Sequence, residues 1–165
     1  MGWETDKKWS DKFIPEIKSI LGQHLISEAP VEEDRDHNTD LIVLTLKPFR
    51  VGCRVRRNMF LERYGHEFTM RSIRPSGQKT ELQKMIEGWG DYFFYGFADA
   101  TDTYIMKYFL GDLNVFREWF NYWRINSEDG KAPGIDYPNQ DGSSYFRAFR
   151  EIDQPNEFFI ASNQP

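Results

Sequence analysis

Apolar residues recur at steps of four near the start of the chain: Trp9, Phe13, Ile17 and Leu21, with Ile14 and Ile20 widening the stripe. That spacing is one face of a helix, expected within residues 5–21, with Gly22 as its stop. Pro15 interrupts the pattern, because a proline inside a helix removes a hydrogen bond and kinks it. Either the helix bends there, or a second helix begins with Pro15 in its first turn. The stretch Glu32-Glu33-Asp34-Arg35-Asp36-His37-Asn38 then reads as a solvated acidic loop.

The apolar period next changes to two. Residues 40–46 are β-branched and apolar, and residues 51–57 and 66–72 alternate polar with apolar side chains. Short connections between them favour an antiparallel meander. After the turn at Arg74-Pro75-Ser76-Gly77-Gln78, Thr80 caps a short helix over residues 81–87, broken at Gly88 and Gly90. Residues 92–98 are apolar on both faces, as a covered central strand is, and residues 104–110 read either as its partner strand, the preferred reading, or as the start of a helix. Asp112 caps an amphipathic helix over residues 113–124, with the stripe Leu113, Phe116, Trp119, Phe120 and Trp123. Residues 126–143 form a loop rich in Gly, Pro and Asp, and residues 145–149 and 157–161 read as late edge strands. The expected fold is α+β, a single domain whose mixed, mostly antiparallel sheet is flanked by helices. Its α-β-β-β-α-β core takes in about residues 5–124, with a loop-rich C-terminal extension over residues 125–165.

Composition narrows the class. A chain of 165 residues is long enough to bury about two-thirds of its unfolded surface, and five Trp, eight Tyr and fourteen Phe supply the core. The single cysteine, Cys53, excludes an internal disulfide, fits a reducing compartment and reads as a small buried filler of its strand. No apolar run approaches the ~18 residues that a membrane span needs, and the first eight residues are polar rather than signal-like. A cytoplasmic protein without a membrane partner is expected. His24, His37 and His66 have no metal-ligand spacing, and no Walker loop or dinucleotide fingerprint is present.

Charge changes the picture most. The chain carries −5 overall, yet residues 47–86 hold ten Lys and Arg against three Glu, +7 in forty residues, which leaves −12 for the rest. Arg54, Arg56, Arg71 and Arg74 interleave with strand residues, so a sheet face loaded with guanidinium groups is expected. Such a face suits phosphate or carboxylate, in a nucleic acid or another polyanion. Pairing with the acidic parts of the same protein is the structural alternative.

The α-β-β-β-α-β order with basic residues on the meander resembles the core of the PD-(D/E)XK nuclease superfamily. The motifs "TDLIVL", "CRVRR", "YGHEFTMRS" and "KTELQKMIEGWGDYFFYGFAD", between Thr39 and Phe116, also resemble an uncharacterised family of phage and prophage proteins. The nuclease resemblance implies carboxylates that hold Mg²⁺ and a lysine that orients water near the scissile phosphate. It points to an acid on the first helix, matched by Glu16, and to an Asp at a strand start, matched by Asp40. In the superfamily the next strand carries Glu-x-Lys; this chain has Arg54-Val55-Arg56 there. The nearest substitutes are Glu67, which shares a face with Thr69 and Arg71 at period two, and Lys84 on the following helix. The implied catalytic set is Asp40, Glu67 and Lys84, with Asp40 and Glu67 as Mg²⁺ ligands. Arg54, Arg56, Arg71 and Arg74 would grip the nucleic acid.

Each of these residues also has a structural reading. Asp40 serves as a turn or cap residue after Asn38-Thr39, and Glu67 as a cross-strand ion-pair partner of Arg54 or Arg56. Glu16 favours a helix N-terminus, and Glu81 with Lys84 makes a helix-start charge and an i,i+3 pair. Two functions therefore stand side by side. One is a phage-type, metal-dependent nuclease that acts on nucleic acid. The other is a non-enzymatic phage protein that binds nucleic acid or inhibits a host defence protein through its arginine face or acidic loops.

Overall fold

Pro15 sets the form of the N-terminal region. In the computed structural model, which describes residues 3–28, 41–43, 49–128 and 130–163, helix α1 spans Trp3–Asp11 and helix α2 spans Ile14–Leu25. Pro15 sits in the first turn of α2, where no helical partner awaits the N–H it lacks, so the apolar stripe divides into two helices. Glu16 lies in the same turn, at the positive end of the helix dipole. Gly22 does not end the helix as expected; α2 continues through it to Leu25. Phe13 and Ile17 are buried, and Trp9 packs edge-on against Phe13 at 5.2 Å between ring centres. Strand β1 (Ile26–Glu28) pairs antiparallel with β2 (Leu41–Val43). These elements belong to a compact unit of residues 1–48, and residues 49–165 form a second. Asp40 and the acidic stretch at 32–38 lie outside the described residues.

The second unit contains two sheets. Strand β3 covers Val51–Arg56, and a 3₁₀ turn (Asn58–Phe60) and the short helix α3 (Leu61–Tyr64) lead to β4 (Glu67–Ile73). Helix α4 (Glu81–Ile86) follows, then β5 (Tyr92–Ala98), β6 (Ile105–Asp112) and helix α5 (Leu113–Asn126). Strands β7 (Ile135–Pro138), β8 (Tyr145–Arg150) and β9 (Phe159–Ser162) complete it. One sheet has the order β3-β5-β6-β9 and the other β4-β8-β7. Only β3 and β5 run parallel; every other pair is antiparallel, which makes the fold α+β with mixed, mostly antiparallel sheets.

The expected meander does not form. Residues 58–64 are helical rather than a tight hairpin, with Phe60 and Leu61 packed against the core, so β4 is carried away from β3. The free edge of β3 takes β5 as a parallel neighbour after a crossover, and β4 pairs with β8 from the far end of the chain. Strand β8 is therefore central in its sheet, not an edge, and residues 125–165 supply three strands instead of a loop-rich extension. Strand β5 is central as its two apolar faces predicted, buried from Phe93 to Ala98.

Both sheets share one aromatic core centred on Phe68 of β4, which is fully buried. Its ring lies 5.3 Å from Phe149 and 5.4 Å from Phe109, and within 6.4 Å of Phe93, Tyr95, Phe116 and Phe158. Helix α5 starts where the Asp112 carboxylate accepts from the Asn114 N–H at 2.7 Å, and it buries Leu113, Phe116 and Phe120. Trp123, the last member of the expected stripe, is exposed. Arg117 of α5 donates to the carbonyls of Met85, in the last turn of α4, and of Gly90, in the loop after it, at 2.6 and 2.5 Å, which ties α5 to this segment. Cys53 is exposed, not the buried filler that its apolar neighbours predicted. No helix among the described residues is long and apolar enough to cross a membrane.

The β5–β6 turn depends on the buried Asp99. Its carboxylate accepts from the Thr101 hydroxyl and from the N–H groups of Thr101, Thr103 and Tyr104, at 2.9, 2.5 and 3.0 Å for the last three. Asp102 in the same turn adopts φ +57°, a left-handed conformation that Asp tolerates. Burial by itself would raise the Asp99 pKa, but these hydrogen bonds outweigh it and hold the carboxyl well below the usual carboxylate range. A depressed folded-state pKa gives stability that is complete above the unfolded value, near 3.9, and that drains away as pH falls toward the folded value. Wild type should therefore exceed Asp99→Asn in urea midpoint at pH 7, and the gap should narrow steadily below about pH 4.

Candidate functional site

Helix α4 begins with a capping box. The Thr80 hydroxyl accepts from the Gln83 N–H at 3.3 Å, and the Gln83 side chain accepts from the Thr80 N–H at 2.8 Å. Thr80 also donates to the Ser72 carbonyl at 3.3 Å, which seats the helix start against β4. This fixes the next residue, Glu81, between the edges of the two sheets. Its Oε2 accepts a charge-assisted bond from the Arg54 guanidinium of β3, and from the backbone N–H of Arg71 of β4 at 3.0 Å. One carboxylate thus links a side chain of one sheet to an unpaired edge amide of the other.

The arginines around it divide into engaged and unengaged groups. Arg56 lies over the Phe60 ring at 4.5 Å, and Arg63 lies over Tyr64 at 5.2 Å, both as cation–π contacts. Arg57 pairs with Asp102 at 3.6 Å and Lys79 with Glu87 at 2.6 Å. Arg74 donates to the Gln78 side chain at 3.2 Å, a neutral partner. The Arg71 guanidinium has no ion-pair partner among the described residues; only its backbone reaches Glu81. Partial burial, then repulsion from Arg54 and from Arg74, lowers the Arg71 pKa, and Glu81 and Asp141 offset this in part. The guanidinium groups of Arg54, Arg71 and Arg74 outnumber the two carboxylates, Glu81 and Asp141, that act on Arg71. Arg56, by contrast, is taken up by the aromatic turn that follows its strand.

Of the two carboxylates expected to hold metal, Glu67 is among the described residues. Glu67 stands at the opposite end of β4 from Arg71, about 13 Å along the strand. Its cross-strand partner is Arg150, not Arg54 or Arg56, because β4 pairs with β8 rather than with β3. Arg150 in turn holds Asp153 through two bonds of 2.8 and 2.7 Å. The cation beside Glu67 is therefore a guanidinium. Lys84 is exposed on α4, and Glu81 turns to Arg54 instead of making the expected i,i+3 pair with it. Asp40 lies outside the described residues, and within them no group of three or more His, Cys, Asp or Glu gathers around one possible metal position.

Another buried cation is internally satisfied. Lys107 of β6 donates to the Gly65 carbonyl and to Glu151 at 2.9 Å, beside a cleft of about 470 Å³. Sequence reading passed over this pair, since a lysine between Met106 and Tyr108 gives no local sign that its strand faces a carboxylate 44 residues away. The Glu81 link escaped in the same way. Its only local signal is an acid placed directly after the capping Thr80 in an otherwise basic stretch.

Glu81→Gln keeps the shape but removes the charge that Arg54 and the Arg71 amide share. It should lower stability by about 1–2 kcal/mol, whereas Lys84→Ala should stay within about 0.5 kcal/mol of wild type. Urea denaturation of the two variants beside wild type measures both effects. No protein-family model, no curated protein and no solved structure matches this chain.

Proposed function

We propose that this protein binds nucleic acid without cleaving it, through the phosphate backbone and the arginine group Arg54, Arg71 and Arg74. The observation that carries the reading is the excess of guanidinium over carboxylate at the facing edges of β3 and β4. Glu81 is the one acid bonded there among the described residues, and the Arg71 guanidinium has two like charges nearby, which Glu81 and Asp141 offset in part, and no ion pair. An incoming phosphate relieves that repulsion and accepts the planar, bidentate bonds that arginine offers.

The position of Arg54 weighs against water activation at this site. Arginine remains protonated, and here it is bonded to Glu81, so it does not share protons with an attacking water. A metal-dependent nuclease built on Asp40 and Glu67 makes the opposite forecast, cleavage in Mg²⁺, and the same samples separate the two.

Gel shift and fluorescence anisotropy with labelled DNA and RNA, at several salt concentrations, test the proposal. Affinity should fall steeply with salt, and Arg71→Ala should weaken binding and reduce the slope of log K against log salt by about 0.7–0.9. Plasmid incubated with Mg²⁺ or Mn²⁺ should stay intact. Cleavage that disappears in Asp40→Ala would replace this reading with the nuclease; absence of any binding would leave neither nucleic-acid reading standing.

A further inference from the structure

The cross-strand register of the β4-β8-β7 sheet brings Arg71, Phe146 and Tyr137 into one row. Arg71 pairs with Phe146, and Phe146 pairs with Tyr137, so the three side chains share a face. Phe68, Met70 and Phe149 are buried on the opposite face, and Thr69 and Ala148 are buried on this one, so this face opens to solvent toward its β7 side. Phe146 and Tyr137 stack at 5.7 Å between ring centres with an interplanar angle of 28°. Tyr137 remains 44% exposed, and Ile135, on the same face of β7, is 62% exposed. The aromatic pair therefore runs outward from Arg71, with Phe146 about 5 Å and Tyr137 about 10 Å across the sheet from a guanidinium that makes no ion pair among the described residues.

Resting on the nucleic-acid reading above, we infer that this sheet face selects single strands, with an unpaired base on the Tyr137–Phe146 stack and its phosphate at Arg71. The two halves of a nucleotide have the two chemistries that the row presents. A base is a flat apolar ring with polar edges, and stacks on an exposed aromatic; the phosphate is an anion that a guanidinium accepts. In a duplex the bases are already stacked on one another and reach neither Tyr137 nor Phe146, so duplex keeps only the charge contribution. A protein surface would supply anions to Arg71 as carboxylates, but it offers no repeating ring at a fixed step from each charge. The acid closest in its electrostatic effect on Arg71, after Glu81, is Asp141, whose carboxylate is engaged with the Ser143 N–H at 3.0 Å.

The test is anisotropy with a fluorescein-labelled 20-nucleotide oligo(dT) and a 20-base-pair duplex, using the full chain. Wild type should bind oligo(dT) at least about tenfold more tightly than duplex. Tyr137→Ala should weaken oligo(dT) binding about 5- to 100-fold, leave duplex binding unchanged and leave the salt slope unchanged, while Tyr137→Phe retains the affinity. Tyr137 lies exposed on an edge strand, and a circular dichroism spectrum like that of wild type confirms that the variant is folded. Equal affinity for single strand and duplex, or a Tyr137→Ala variant that binds oligo(dT) like wild type, overturns the single-strand inference and leaves general phosphate binding intact. Failure to bind either probe overturns both.

Discussion

The packing of aromatic rings around Phe68 is the constraint on which the rest of the second unit depends. Phe68 lies within ring-contact distance of side chains from β5, β6, β8 and α5 and of the 3₁₀ turn before β9. Interiors of this kind are close-packed, so the volume of these rings fixes how the two sheets meet. Edge-to-face and offset stacks are favoured by the ring quadrupoles and add to the burial of area. Once β4 is held by Phe68 against β5 and β6, its remaining edge is committed to a particular neighbour. That neighbour is the start of α4.

Glu81 matters because of this placement. A helix of six residues is too short to be stable by itself and is held by its capping box and by the burial of Leu82 and Met85 in the core. The same burial presents Glu81 to the Arg71 edge amide and to Arg54. The carboxylate thus satisfies a strand edge and neutralises one arginine of three. Arg54 becomes part of the framework as well as of the basic group, and Arg71 and Arg74 make no ion pair among the described residues. Structural and binding roles of the basic residues are separated by which carboxylate or ring each one meets, and not by their type.

The same principle changes the reading of the acidic residues. In the linear sequence Glu67 reads as a metal ligand or a partner of Arg54 or Arg56, and Glu81 as a helix-start charge paired with Lys84. Their roles were decided by strand pairing: β4 against β8 delivers Glu67 to Arg150, while α4 against β4 delivers Glu81 to Arg54. A change of strand partner gives a carboxylate different neighbours, and a one-residue register slip turns it to the other face of the sheet, so either one breaks an ion pair. The outer row of Arg71, Phe146 and Tyr137 arises in the same way, from three segments that are distant in the chain.

The sequence by itself determined the local elements. The strands at β3, β4, β5, β6 and β8, the caps Thr80 and Asp112, the split of the N-terminal helix at Pro15 as one of two alternatives, and the basic character of residues 47–86 were all legible from periodicity and residue type. Period and capping are properties of neighbouring residues, so they survive in a linear reading. Strand β7 was missed because Ile135 and Tyr137 show only one apolar alternation inside a stretch rich in Gly, Pro and Asp. What only the tertiary structure decided was pairing: β3 parallel to β5, β4 beside β8, Cys53 exposed, and each arginine's partner. The reason is physical. Pairing depends on how a few large rings fill one shared volume, and that volume exists only when residues from both ends of the unit have come together.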